Sequence, residues 1–141
     1  MSDQNKLNAE HLHTMQEHVL FSKLPEPVLQ RLHAKGHTES FAEGDALINQ
    51  GEFNYFLFLI VSGAVSVVTD SEKVALLQQG DVVGEISTSG LSSPVADVIA
   101  KEGVQVLAFP IDEISEIAFE HEAFADTLRH IGMHRIEPEN Y

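Results

Sequence analysis

Two glycines four residues apart, Gly80 and Gly84, stand in the stretch of this chain whose composition best suits binding chemistry. Glu85 follows the second glycine directly, and a hydroxyl-rich run comes behind it: Ser87, Thr88, Ser89, Ser92 and Ser93. The whole stretch, 77–100, is written LQQGDVVGEISTSGLSSPVADVIA. It reads as a strand, a tight turn, a short helical turn and a second strand. Glycine permits a sharp turn and a close backbone approach. A helical turn after it leaves its first N–H groups free, which makes an anion site. The same letters also fit a plain surface connection between strands, with Glu85 doing no more than complementing the start of the short helix.

Other chemistry is less well supported by residue spacing. His130 and His134 lie four apart and share a face of a predicted helix, while His11 and His13 share one only if that segment is extended. No third ligand is placed by spacing, and the pair lacks the internal glutamate of a zinc hydrolase. No metal site is assigned; exposed helical histidines that titrate between about pH 5 and 8 are the reading taken. Nucleophile-elbow, P-loop and dinucleotide motifs do not occur, so no catalytic residue is assigned and an enzyme is not expected. Carboxylates such as Asp112, Glu113, Glu120 and Glu122 sit in an acidic helical region, read as a solvated face. With no cysteine, disulfides, iron–sulfur clusters and thiol catalysis are excluded.

The elements that must position the glycine-marked stretch follow from periodicity. The 141 residues, 43% of them hydrophobic, suit one domain with a buried core. Residues 1–10 are polar and predict a frayed tail. Leu12, Met15, Val19 and Leu20 predict an amphipathic helix from His11 to near Ser22. Pro25 and Pro27 interrupt it, and Val28, Leu29 and Leu32 predict a second helix finished by Gly36. From His37 to Phe109 the period becomes that of strands, punctuated by Gly44, Gly51, Gly63, Gly80 and Gly84, as in an all-β sandwich or barrel. Over 110–136 two helices are predicted, the first beginning after Pro110 and carrying Ile114 and Ile117, the second carrying Phe124, Leu128 and Ile131.

Charge and hydropathy bound the partners. Twenty-two acidic against eight basic residues give a net charge of −14, which disfavours nucleic acid and anionic membrane surfaces. The N-terminal residues lack the apolar run of a secretion signal, and Tyr55 to Val61, the longest apolar run, is too short to span a bilayer, so a cytoplasmic location is expected.

The ordered landmarks Gly44-x-x-x-Ile48-x-x-Gly51-Glu52, Phe58-Leu59-Ile60-x-x-Gly63-x-Val65 and Leu77-x-x-Gly80-x-x-x-Gly84-Glu85 resemble the β-roll of cyclic nucleotide-binding domains, the type of the catabolite activator protein and of protein kinase regulatory subunits. The resemblance implies a mainly β fold with flanking helices (α+β): an antiparallel, jelly-roll-like β-roll (a double-stranded β-helix) over 37–109 within a single domain, 11–141. It implies a regulatory, signalling role and a small ligand, cAMP or cGMP or another small molecule, held by Gly84, Glu85, Ile86 and Ser87 on one side and Pro94, Val95, Ala96 and Asp97 on the other. In the family an arginine nine residues after the glutamate pairs with the cyclic phosphate; here that position is Pro94, and Asp97 stands where Thr or Ser is usual. No Lys or Arg lies between Val74 and Ala100. Weakened or altered ligand binding is therefore expected, with Arg129 or Arg135 as conceivable substitutes for the missing charge. The alternative is a module that binds no ligand and associates with a second copy or a partner protein through Phe124, Leu128 and Ile131. The chain stops where the family's transcription factors continue into a helix-turn-helix, so no DNA-reading module is expected.

Overall fold

In a computed structural model the described residues are 5–52, 54–69, 72–84 and 96–136, with backbone alone at 72–74 and 132–136. Helix α1 (Ala9–Glu17), a 3-10 helix (Phe21–Lys23) and α2 (Glu26–Lys35) precede the strands. Eight strands follow among the described residues: β1 (His37–Phe41), β2 (Ala46–Ile48), β3 (Phe56–Ser62), β4 (Ala64–Thr69), β5 (Glu72–Gln78), β6 (Val82–Val83), β7 (Asp97–Ala100) and β8 (Val104–Pro110). Helices α3 (Ile111–Glu120) and α4 (Glu122–Ile136) close the chain. One sheet runs β1-β8-β3-β6 and the other β2-β7-β4-β5, with antiparallel pairing throughout. This is the helix-flanked antiparallel β-roll expected from the sequence.

The apolar run in β3 is continuous because both of its faces are covered. Leu57 and Leu59 turn outward and, with Leu107 and Phe109 of β8, meet the helices. Phe58 and Ile60 turn inward and, with Val106 and Ala108, meet Val65, Val98 and Ala100 of the second sheet. Side chains alternate across a strand, so one strand pair builds two cores. Among the described residues no helix is long and apolar enough to cross a membrane.

Two expectations about the N-terminal region are corrected. Residues 5–10 are not frayed: Lys6 bridges to His37, Leu7 is buried, and α1 begins at Ala9. Room for Leu7 comes from Gly36, where an added Cβ would lie 2.8 Å from Leu7 Cδ1 and 2.9 Å from Phe109 Cε1. Gly36 has φ −86°, so it is required for space and not for a left-handed turn. The first helix also starts earlier and stops sooner than periodicity predicts. Asn8 accepts from the backbone N–H of His11 while His11 Nδ1 accepts from that of Asn8, a reciprocal cap with histidine in the place usually taken by Glu or Gln. After Glu17 the chain bends at His18, and Leu20 and Phe21 reach the helix-side core from the 3-10 segment.

Candidate functional site

The short strand β6 pairs with β3, Val83 opposite Phe58 and Val82 opposite Leu59, and delivers the chain to Gly84. Gly84 has φ 101°. A Cβ there would meet Asn54 Nδ2 at 2.7 Å and Phe56 O at 2.8 Å, so both conformation and space demand glycine. Beneath it the Asn54 side chain clamps the start of β3: Nδ2 donates to Phe56 O at 2.7 Å and Oδ1 accepts from Phe56 N at 3.2 Å. Asn54 is one of two buried polar side chains among the described residues, and nothing in its local sequence distinguishes it.

Opposite, Ala96 and β7 belong to the second sheet, where β7 lies between β2 and β4. Residues 85–95 thus connect an edge strand of one sheet to an inner strand of the other. Glu85, Ile86, Ser87, Pro94 and Val95 lie outside the described residues. Ala96, Val98 and Ala100 are buried, and by alternation share the inward face. Asp97 has the opposite orientation. Its Oδ1 accepts from Gln50 N at 2.6 Å, so the carboxylate holds the connection after β2. The structure therefore brings Gly84 and Ala96 to the two ends of the candidate segment and commits the Asp97 carboxylate to a backbone partner.

The Arg129 guanidinium pairs with Asp126 on its own helix surface, and the Arg135 side chain lies outside the described residues. Of the residues proposed for association, Phe124 and Leu128 are fully buried in the helix-side core and Ile131 packs against its margin. Among the described residues no three His, Asp or Glu side chains gather as a metal site would require.

The comparisons with known proteins agree with this geometry. A family model described as cyclic nucleotide-binding domain matches residues 38–121. The Pycsar effector protein XpPycTIR of Xanthomonas perforans is 34% identical over 120 residues, covering 84% of this chain and 38% of that protein. A cAMP-dependent protein kinase regulatory subunit of Hypocrea atroviridis is 26% identical over 96 residues, covering 68% and 21%. The chain thus spans well under half the length of these relatives. Among solved structures, the regulatory subunit of a cAMP-independent protein kinase A from Trypanosoma brucei, in a triple mutant bound to cAMP in the A site, superposes with a TM-score of 0.75 at 25% identity, over 93% of this chain and 47% of that one. With the family model spanning more than half of its residues and the same roll in its fold, this chain belongs to the cyclic nucleotide-binding domain family.

Proposed function

We propose that this domain is a regulatory, non-catalytic sensor whose affinity for cAMP or cGMP is weakened, or redirected to another small ligand, by the loss of the phosphate-binding arginine. The observation that carries the reading is Pro94 at the position nine residues after Glu85, in a stretch with no Lys or Arg from Val74 to Ala100. Arginine meets a phosphate with forked, charge-assisted donors; proline has neither charge nor N–H. Removing one partner of a buried charge pair costs roughly 3–5 kcal/mol, about a hundredfold to a few thousandfold in affinity. Further support comes from the trypanosome relative: it is the regulatory subunit of a cAMP-independent protein kinase A, and the mutant bound to cAMP carries a threonine-to-arginine change among its three substitutions. Association through Phe124, Leu128 and Ile131 would first require Phe124 and Leu128 to leave the core.

Calorimetric titration with cAMP, cGMP and cyclic dinucleotides tests the proposal. The expected result is binding of cAMP and cGMP no tighter than about millimolar, improved on the order of a hundredfold for cAMP in Pro94→Arg. Micromolar binding of cAMP by the unaltered chain would overturn it, as would a well-folded Pro94→Arg variant that gains nothing.

A further inference from the structure

At the junction between the N-terminal helices and the roll, both ring nitrogens of His18 are engaged. Its Nδ1 accepts from Leu20 N at 3.0 Å, and its Nε2 lies 2.7 Å from the carbonyl oxygen of Gly80. A nitrogen that accepts from an amide carries no hydrogen, so the proton sits on Nε2 and is donated to Gly80 O. The neutral imidazole in this one tautomer satisfies both contacts. A second proton would place Nδ1–H against the Leu20 N–H and cancel that bond.

The groups on either side make the contact consequential. Leu20 is fully buried in the helix-side core, so its N–H, robbed of Nδ1, would be left without this partner. Gly80 belongs to a turn tied to β3, with Gly80 N donating to Ile60 O and Ile60 N to Asp81 O, both at 2.9 Å. That turn leads through Val82 and Val83 to Gly84.

We propose that His18 is a proton-responsive strut between the 3-10 segment and the turn that precedes Gly84: neutral, it holds both the Leu20 N–H and the Gly80 carbonyl, and protonated, it gives up the Leu20 N–H while its Nε2–H stays on Gly80 O. Phe21 of the 3-10 helix lies against the ring, 5.3 Å between centroids, and among the described residues of the roll the charged group acting on it is Asp81. Burial pushes the His18 pKa below its ordinary 6.5, more strongly than the Gly80 carbonyl and the Asp81 carboxylate push it up. Asp81 also accepts from Gln78 N through its side chain at 2.9 Å, which engages that carboxylate within the turn. The strut is therefore set at neutral pH and loosened on mild acidification. This inference does not depend on which ligand, if any, the domain binds.

Ring 15N chemical shifts of His18 and amide exchange at Leu20, corrected for the intrinsic pH dependence, test it at about pH 7.5 and about pH 5. At the higher pH the shifts should show hydrogen on Nε2. At the lower pH protection of the Leu20 amide should fall about tenfold, the worth of one lost hydrogen bond, while Leu107 and Phe109 stay protected. In His18→Phe, which keeps a ring against Phe21, protection of the Leu20 amide should be low at both pH values. A proton on Nδ1, titration at or above 6.5, or acid loss spread equally over Leu107 and Phe109 would overturn the proposal. The shifts decide the first two points even if the variant does not fold.

Discussion

Both ends of the chain lay helices on the same outer face of the β1-β8-β3-β6 sheet, but they are fastened differently. The C-terminal pair is held largely by apolar burial: Ile114 and Ile117 of α3 and Phe124 and Leu128 of α4 all enter the helix-side core. The N-terminal segment adds to its own buried Met15, Leu20 and Phe21 a set of polar ties: His18 to Gly80 O, His33 Nε2 to Asn8 O at 2.8 Å, and Lys35 to Glu113 at 3.5 Å. The two ends meet at Phe21, whose ring lies 5.2 Å from Phe109 and 6.2 Å from Phe124. Burial of hydrocarbon is indifferent to protons, whereas an accepting imidazole nitrogen is not. The N-terminal attachment is therefore the one that solution conditions can adjust.

The contrast can be broken in several places. Phe124→Ala should cause the largest loss, about 3–5 kcal/mol in urea unfolding, and that loss should be the same at neutral and mildly acid pH; a change below about 1 kcal/mol would mean that burial does not hold the C-terminal pair. Acidification should act through the N-terminal ties. His11 and His18 are both held below 6.5, chiefly by burial, with His33 adding to the effect at His11. The unfolded chain therefore binds more protons than the folded one as pH drops below 6.5, so these two contribute stability fully above that value and lose it below. Stability should fall between pH 7 and 5 relative to a variant with both rings replaced by phenylalanine; an equal fall in that variant would place the effect elsewhere. Asn8→Ala removes the side-chain half of the α1 cap and should cost about 1 kcal/mol, read by chemical unfolding. Smallest of all, Lys35→Ala breaks a half-exposed ion pair and should cost less than about 1 kcal/mol. A larger loss would show that the Glu113 carboxylate, whose Oε1 is buried with no hydrogen-bond partner among the described residues, depends on Lys35.

What the amino-acid order determined on its own was local. The glycines at 44, 51, 63, 80 and 84 all have positive φ, a demand set by the turn itself, so they marked the strand boundaries before any contact was known. The apolar run of β3 and the Pro110 start of α3 were legible for the same reason. The order of residues also marked the candidate segment, because the glycine spacing and the want of any Lys or Arg from Val74 to Ala100 are facts of the chain. Tertiary structure decided which polar groups meet. His18 and Gly80 are 62 residues apart and Asp97 and Gln50 are 47 apart, and no periodicity links them. Asn54 acquires its role only when Gly84 is folded onto the start of β3. Leu7 is ordered because Gly36 leaves space above Phe109, and Phe124 and Leu128 face inward because Phe21 is there to receive them. Turns and strand periods are written in neighbouring residues; polar partners and the direction of an apolar stripe are settled when distant segments close on one another and bury what they share.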